Sequence, residues 1–296
     1  EKTIHPRFLA YWFKSGSFIR QASDRANNTD MAAYINLGDI ASLRIALPDI
    51  TRQRAVAEVL GALDDKIAAN AKVVRLLQSL ADARFQQAVA AASFGSRSFA
   101  DVADVGGGGT PRTSVAEYWG GDIHWATPTD VTGLAAPYLA RTSRTITAEG
   151  LAACASARYP IGSILMTSRA TIGAFAVAQV PTAVNQGFIV VNAKDARYQW
   201  WLFHEMKSRV SEFLSYANGA TFLELPRGRF RELKVRLAGA EVMTEFDDLV
   251  RPIHATAAAV TTESETLAST RDELLPLLMS GKVRVMDVEK IVEGAL

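Results

Sequence analysis

The sequence predicts an α+β protein that combines a mixed, mostly β domain with two long helices forming a coiled coil. Three observations lead to this prediction. Two stretches of about 40 residues carry a coiled-coil repeat. A block of short β-branched runs and turns separates them, and weak internal similarity relates the two stretches at an offset of 190 residues. At 296 residues the chain is long enough for two domains.

The first long helix is predicted over residues 51–93 and the second over residues 241–281. In each, the seam positions alternate in steps of four and three, which is the a/d spacing of a coiled coil. The seams consist of Val56, Leu60, Leu63, Ile67, Asn70, Val74, Leu77 and Ala81, and of Phe246, Val250, Ile253, Ala257, Val260, Ser264, Leu267 and Arg271. The two seams are buried most simply against each other, and separate packing of each helix on its own domain is the alternative.

Residues 94–240 have the composition of a small, turn-rich, mostly β domain. Gly, Pro and Thr cluster in residues 106–111, 119–122 and 127–130, which is typical of turns. Short β-branched runs, typical of strands, and one helical pattern follow: residues 161–167, 173–180 and 188–191, and residues 199–216. We expect the loops of this domain to carry its binding residues.

The internal repeat places residues 43–48 over 233–238 and residues 11–13 over 201–203. Each copy therefore has a strand-like segment followed by a long helix. About 50 residues precede the first helix, whereas the block between the first helix and the second has about 147 residues. The pattern predicts that residues 1–50 are the C-terminal part of a first domain, of which roughly 95 residues are missing before Glu1, and that residues 282–296 form a C-terminal tail.

The formal net charge of +1 averages two unlike regions. Residues 194–236 hold nine Lys or Arg against five Asp or Glu, whereas residues 241–296 hold five against eleven. This asymmetry favours an anionic partner for the first region and a protein partner for the second. The single cysteine, Cys154, excludes an internal disulfide. No apolar run reaches the roughly 18 residues of a transmembrane helix, so we expect a soluble, cytoplasmic protein.

A set of short motifs occurs in a fixed order along the chain. They are residues 48–54 (PDITRQR), 60–67 (LGALDDKI), 108–111 (GGTP), 117–125 (EYWGGDIHW), 127–130 (TPTD), 164–173 (ILMTSRATIG), 185–188 (NQGF) and 274–285 (LLPLLMSGKVRV). Together they resemble the specificity subunits of type I restriction-modification systems. The resemblance covers one complete target-recognition domain (94–240), both spacer helices, and the end of another recognition domain.

The resemblance implies a division of labour between subunits. The two spacer helices would be antiparallel, each recognition domain would read one half of a bipartite DNA target, and the subunit would scaffold methyltransferase and restriction subunits. It implies a non-catalytic chain without a cofactor of its own, since S-adenosylmethionine, ATP and Mg²⁺ would belong to the partner subunits. Two alternatives stay open: the specificity portion of a fused restriction-methylation enzyme, and a coiled-coil adaptor without DNA readout.

Nine residues are candidates for DNA contact. Arg112 and Arg169 can offer a guanidinium fork to guanine or phosphate, and Asn185 and Gln186 have the amide geometry that pairs with adenine. Hydroxyl groups at turn-rich edges can hold a phosphate or touch a thymine methyl group; these are Thr110, Thr127, Ser168, Thr171 and Thr221.

Several of these features have structural alternatives. Residues 106–109 could serve only a turn, because no P-loop lysine follows. Asn185 could instead cap a turn, and Arg112 could lie in a solvated loop. Trp119 and Trp125 are interpreted as packing residues rather than base-stacking platforms.

Catalytic motifs are mostly missing. The four histidines are scattered along the sequence, and His204-Glu205 lacks the second histidine of a zinc helix. One metal-dependent nuclease pattern does match, Pro48-Asp49 with Asp64-Asp65-Lys66. That chemistry needs its carboxylates on neighbouring strands, whereas these residues fall in a helical seam. We predict neither catalytic nor metal-binding residues.

Overall fold

The computed structural model describes residues 3–26, 34–90, 92–219 and 223–285. The chain divides into two compact units. The first comprises Glu1–Lys72 and Thr262–Leu296, and the second comprises Val73–Thr261. Helices and sheets are both well represented, so the predicted α+β class is confirmed.

In the first unit, three short helices precede a long one. They are α1 (Pro6–Phe13), α2 (Gly16–Arg25), α3 (Leu37–Ala41) and α4 (Ile50–Val89), of which α4 continues into the second unit. The sequence explains where they begin. The hydroxyl of Ser15 accepts a hydrogen bond from Phe18 N at the start of α2, and Asn36 and Asp39 form a capping box at α3.

The core of the first unit lies between α1, the first part of α4 and the last part of α11 (Ala240–Ser280). Its buried members are Phe8, Tyr11, Val56, Ala57, Leu60, Leu275 and Leu278. The two long helices are antiparallel here, because Asn70 Nδ2 donates to Glu263 Oε2 at 2.8 Å while Arg271 donates to Asp64 Oδ1 at 2.7 Å. The predicted pairing of the two seams is therefore confirmed.

The second unit contains the other part of each long helix. They are antiparallel here too, since Phe85 of α4 contacts Phe246 of α11 and Val74 clusters with Ala257. Trp201 of α8 (Gln199–Ser208) packs into the same cluster and contacts both phenylalanines. The helix pair and the β domain of this unit thus share a core.

The β domain of the second unit contains three sheets in its described residues. Their orders are β2-β9-β6-β7-β4, β5-β3-β8 and β1-β10. The strands are β1 (Ser93–Ser98), β2 (Ala103–Gly106), β3 (Trp119–Ala126), β4 (Tyr138–Leu139), β5 (Arg144–Ile146), β6 (Ile164–Thr167), β7 (Phe175–Ala178), β8 (Thr182–Val184), β9 (Phe188–Ala193) and β10 (Lys234–Leu237). The short helices are α5 (Phe99–Val102), α6 (Pro128–Thr132), α7 (Ala148–Ala152), α9 (Val210–Ser215) and α10 (Arg227–Glu232).

The central strands of the five-stranded sheet are covered on both faces. All four residues of β6 are buried, and so are the first four of β9. One face packs on apolar side chains of α8, α9 and α10, and the other packs on Val131, Leu139 and Val184. Double coverage explains why β6 and β9 are continuous apolar runs rather than alternating patterns.

The structural repeat follows the predicted offset. α3 begins at Leu37 and α10 at Arg227, while α4 begins at Ile50 and α11 at Ala240. One expectation is wrong: residues 43–47 form no strand, although the equivalent residues 234–237 form β10. A strand needs a hydrogen-bonding partner, and β10 has β1, whereas no described strand lies beside residues 43–47.

The predicted helix over residues 199–216 is broken. Arg209 leaves the helical region at φ −115° and ψ 17°, which separates α8 from α9. Helix α4 ends at Val89, before the predicted boundary at residue 93, because Ser93 already pairs with Leu237 in the β1-β10 sheet. Among the described helices, none is long and apolar enough to cross a membrane.

Candidate DNA-binding edge of the β domain

The loops that carry most of the predicted contact residues meet at one edge of the β sheets. The ends of β2 and β6 both lie beside the start of β9, because Gly106 pairs with Val190 and Thr167 with Phe188. Strands β3 and β8 run parallel and end together, and residues 185–187 join β8 to β9. We call this surface the loop edge; it consists of residues 107–112, 127–130, 168–171 and 185–187.

Side-chain hydrogen bonds hold the loop edge together. The hydroxyl of Thr110 donates to Gln186 Oε1 at 2.7 Å, which joins two loops that are far apart in the sequence. Asn185 Oδ1 accepts from Gly187 N at 2.8 Å, so Asn185 does stabilise its own turn, as its alternative interpretation proposed. These bonds use one acceptor position of each amide oxygen and leave the amide nitrogens as donors.

Thr127 and Asp130 form a capping box that begins α6. Thr127 Oγ1 and Thr127 N donate to Asp130 Oδ2, and Ser143 N donates to Asp130 Oδ1 at 2.7 Å. Burial by itself would raise the pKa of Asp130, but these hydrogen bonds outweigh it and lower the pKa. The predicted contact residue Thr127 is therefore part of a local structural motif at the loop edge.

Backbone bonds fix the loop after β6. Ser168 N donates to Gly187 O at 2.8 Å, and Leu225 N donates to Ser168 O at 2.9 Å. Ser168 is consequently buried, with 3% of its surface exposed. A buried hydroxyl is poorly placed for a phosphate, so the contribution of Ser168 is to hold the loop.

Arg169 and Thr171 lie at the accessible part of this loop. Arg169 Nε is 2.9 Å from Glu224 Oε1, and 43% of the arginine side chain is exposed. Between them, Ala170 adopts a left-handed conformation with φ 58°, which is unusual for a residue with a Cβ atom. Ala170 N donates to Leu223 O, and this bond holds the turn that presents Arg169.

Close packing requires glycine at position 108 in the first loop. A Cβ atom on Gly108 would overlap the backbone carbonyl of Val184, and one on Gly107 would overlap the guanidinium of Arg227. The hydroxyl of Tyr159 donates to Gly107 O at 2.5 Å. The sequence indicated a turn at these glycines. In the structure the Val184 backbone, Tyr159 and Arg227 all approach them directly.

Two tryptophans support the other side of the loop edge. Trp125 Nε1 donates to Gly109 O at 3.1 Å, and Trp119 Nε1 lies 3.4 Å from Arg112 O. The Arg144 guanidinium lies over the Trp119 ring, 3.4 Å from its centroid. The interpretation of both tryptophans as packing residues agrees with these contacts. Arg112 itself is exposed in a loop, beside the Trp119 and Arg144 pair.

The structure thus brings together eight of the nine candidate residues on or beside the loop edge: Thr110, Arg112, Thr127, Ser168, Arg169, Thr171, Asn185 and Gln186. The ninth, Thr221, lies outside the described residues. Arg144 and Arg227 were not among the candidates. The only sequence signal for Arg227 was its place in the basic region, and nothing in the local sequence indicated Arg144.

Most of the basic residues at positions 194–236 form ion pairs with acidic residues of the same chain. Ion pairs with acidic residues occupy Arg197, Lys207, Arg209, Arg229 and Arg236. Lys194 and Lys234 donate to backbone carbonyls of Ala100 and Ser96. Of the nine basic residues counted from the sequence, only Arg227 and Arg231 have no ion pair or hydrogen bond within the described ranges. The five ion pairs leave Lys194, Arg227, Arg231 and Lys234 without a carboxylate in the part of the chain that the structure describes, which matches the net excess of four positive charges over these positions in the sequence.

A second polar cluster lies at the helix pair of the same unit. Tyr138 Oη is 2.8 Å from His254 Nδ1, His254 Nε2 is 2.9 Å from His204 Nε2, and His204 Nδ1 is 3.0 Å from Asp82 Oδ1. Lys207 also pairs with Asp82, at 2.7 Å. Histidines that are scattered in the sequence are thus neighbours here, and both are buried.

The nuclease-like residues lie on a helix, as expected from their position in the seam. Asp49 Oδ1 accepts from Arg52 N at the start of α4, and Asp64 accepts from Tyr11 and Arg271. The other two motif residues form ion pairs, Asp65 with Arg7 and Lys66 with Glu263. In the described ranges, no group of three or more His, Cys, Asp or Glu side chains could hold a metal ion.

Comparisons with known proteins agree with this arrangement. A family model described as the type I restriction modification DNA specificity domain matches residues 93–241. The type I restriction enzyme MjaIX specificity subunit of Methanocaldococcus jannaschii is 38% identical over 159 residues, which cover 51% of this chain and 37% of that protein. The S subunit of a type I restriction-modification system from M. genitalium has a similar structure, with a TM-score of 0.61 and 14% identity over 92% of this chain and 72% of that one.

The matched region contains the whole loop edge. The chain belongs to the family of type I restriction modification DNA specificity domains, which confirms the resemblance of its motifs. It covers little more than a third of the curated relative, 37% of its length. At 14% identity, the likeness to the solved structure shows that the fold is shared.

Proposed function

We propose that this chain is a non-catalytic specificity subunit of a type I restriction-modification complex that binds double-stranded DNA through the loop edge. One observation carries the proposal: residues chosen from the sequence for DNA contact, and separated by up to 76 positions, converge on one surface of the family-matched domain. We further propose that this domain reads one half of a bipartite target, and that S-adenosylmethionine, ATP and Mg²⁺ bind to the partner subunits.

The geometry supports distinct roles within the loop edge. Phosphate contacts position a protein on DNA, whereas base-edge contacts read sequence. Arg169 is held by Glu224 through Nε, which leaves its terminal nitrogens to face a base or a phosphate. Asn185 and Gln186 have amide oxygens that already accept internal bonds, so they would contact DNA chiefly as donors.

Replacing Arg169 by alanine is expected to weaken recognition at one half-site by about 1–3 kcal/mol, which is the value of a bidentate contact to a base. The measurement is methylation by the complete complex over a library of target variants. Arg169→Lys serves as the matched variant, because lysine keeps the charge but lacks the fork. Unchanged methylation at every variant sequence would refute the role of Arg169.

Partner scaffolding is supported by an apolar stripe on α4 that the described residues leave uncovered. Val73, Leu76 and Leu80 recur at helical spacing, and their exposures are 41%, 60% and 43%. Exposed leucines on one face of a long helix are suited to a second helix-rich protein. We propose that the methyltransferase subunit packs here and that restriction subunits join the resulting complex.

Leu76→Glu is expected to reduce co-purification with the methyltransferase subunit of the same system, because a charge would be buried at the interface. Leu214→Glu is the control, since Leu214 is 43% exposed on α9, away from the helix pair. Equal yields of the complex from the two variants would argue against this surface. Salt-sensitive DNA binding measured in the same preparations tests the adaptor alternative, which predicts none.

A further inference from the structure

Arg144 and Arg227 differ from five other arginines of the β domain in having no ion-pair partner among the described residues. Arg169, Arg197, Arg209, Arg229 and Arg236 all pair with a carboxylate. Arg144 and Arg227 have no such partner within the described ranges, and both are exposed. Each guanidinium lies against another part of the protein, that of Arg144 on an aromatic ring and that of Arg227 beside Gly107. Their charges are therefore not neutralised by a carboxylate of the described residues.

Arg144 is held by an aromatic face. Its guanidinium lies 3.4 Å from the centroid of the Trp119 ring and 5.8 Å from that of Trp125. Stacking of this kind restrains the guanidinium plane while its N–H edge stays free to donate. Trp119 is fixed in turn, because its ring meets Trp125 edge-on at 5.1 Å.

Arg144 also lies at the loop edge. In the β3-β5 ladder it pairs with Trp125, two residues before Thr127. The adjacent residue Ser143 donates to Asp130 at the start of α6, so the loop before β5 is tied to the same edge. The Trp119 indole that carries Arg144 also approaches Arg112 O. Arg144 thus extends the loop edge across the three-stranded sheet.

The guanidinium of Arg227 lies close to the glycine backbone of the first loop. It occupies the space that a Cβ atom on Gly107 would need. The preceding residues 223–225 pair with residues 168–170, which connects Arg227 to the loop of Arg169. Its equivalent at the repeat offset is Leu37, so the charge is specific to the copy that carries the β domain.

We propose that Arg144 and Arg227 bind phosphates of the DNA backbone on either side of the base-reading loops. This proposal rests on the proposed function and adds a class of contact to it. Uncompensated, restrained guanidinium groups suit phosphate, because a backbone charge recurs at every nucleotide and needs no particular sequence. Both arginines thus strengthen cognate and non-cognate binding alike, and sequence preference belongs to the loops between them. Trp119 acts as a positioning residue for Arg144.

The test measures how affinity depends on salt in the complete complex. Each lost phosphate contact reduces the slope of log K against log salt by about 0.9. Arg144→Ala and Arg227→Ala are each expected to reduce the slope by about this amount on cognate and random duplexes, with the preference between them unchanged. Arg229→Ala is the control, because Arg229 shares α10 with Arg227 but already pairs with Glu232.

Trp119 provides an independent check. Trp119→Leu is expected to lower the slope as Arg144→Ala does, whereas Trp119→Phe retains a ring face and restores it. Loss of cognate preference with an unchanged slope would overturn the proposal, because it would assign the arginines to base reading. An unchanged slope and affinity in both arginine variants would also overturn it. If the unmodified complex shows no salt-sensitive binding, the proposed function fails as well, which separates the two outcomes.

Discussion

Glu205→Ala is expected to lower the free energy of unfolding of the second unit by about 3–5 kcal/mol, the usual cost of removing one partner of a buried ion pair. Glu205 is fully buried. Its carboxylate accepts from Arg209 Nη1 at 2.9 Å and from Arg236 Nε at 3.0 Å. Without it, two guanidinium groups would face each other with no carboxylate between them.

Denaturant unfolding of the variant and of the unchanged protein gives this value directly. Glu212→Ala is the matched control, because Glu212 binds the same Arg209 but is 36% exposed. An exposed pair contributes about 1 kcal/mol or less. If the two variants lose the same free energy of unfolding, the burial of Glu205 does not increase the contribution of its ion pairs to stability.

Acid is expected to destabilise the second unit as the pH falls below about 6.5, before most carboxylates titrate. The cause is the buried chain of Tyr138, His254, His204 and Asp82. With both histidines neutral, every contact has one donor and one acceptor: Tyr138 donates to His254, His254 to His204, and His204 to Asp82. A proton added to His204 Nε2 would place two N–H groups against each other between the rings, and a proton added to His254 would bury a charge.

The pKa shifts of these groups show that acid destabilises the folded unit. Burial lowers the pKa of His254 to about 3 and also lowers that of His204, against the attraction of Asp82. For Asp82 burial alone would raise the pKa, but hydrogen bonds from His204 and Lys207 lower it to about 2. Below about pH 6.5 the two histidines therefore bind protons in the unfolded chain that they do not bind in the folded unit. The free energy of unfolding of the second unit falls as a result.

Between pH 7.5 and pH 5.5, His254 alone contributes a loss of about 1.4 kcal/mol, and His204 adds to it in the same direction. Unfolding free energies at the two pH values measure this loss. In His254→Gln the loss should shrink, whereas His124→Gln, which alters a histidine outside the cluster, should leave it as it was. A pH dependence that is the same in all three proteins would contradict the role of the buried pair.

The long helices could be predicted from sequence because their determinants are local. Seam positions such as Leu60 and Val250 repeat every three or four residues, and the structure buries both. The strand predicted near Leu43 failed because a strand depends on a partner elsewhere in the chain, and its equivalent β10 pairs with β1 from a remote position. Propensity alone contains no information about that partner.

In the candidate site too, some features follow from the local sequence and others depend on residues that are remote in the chain. Residue types at turns suggested Thr110 and Gln186 as candidates, yet the hydrogen bond between them joins positions 76 residues apart. The positions of Arg144 on Trp119 and of Arg227 on Gly107 depend on how strands and helices fold back on each other. Charge counting over residues 194–236 likewise cannot show which arginines meet an internal carboxylate, because those pairs depend on the fold.

The polar contacts between the long helices have a consequence for their alignment. Asn70 is 4% exposed in an otherwise apolar seam, and its only polar partner across the seam in the described residues is Glu263. Sliding one helix by a heptad would leave the Asn70 amide buried and unpaired, at a cost of about 1–3 kcal/mol. It would separate Asp64 from Arg271 as well. These two polar pairs therefore fix the register of the helix pair, which its apolar contacts alone would leave less strictly defined.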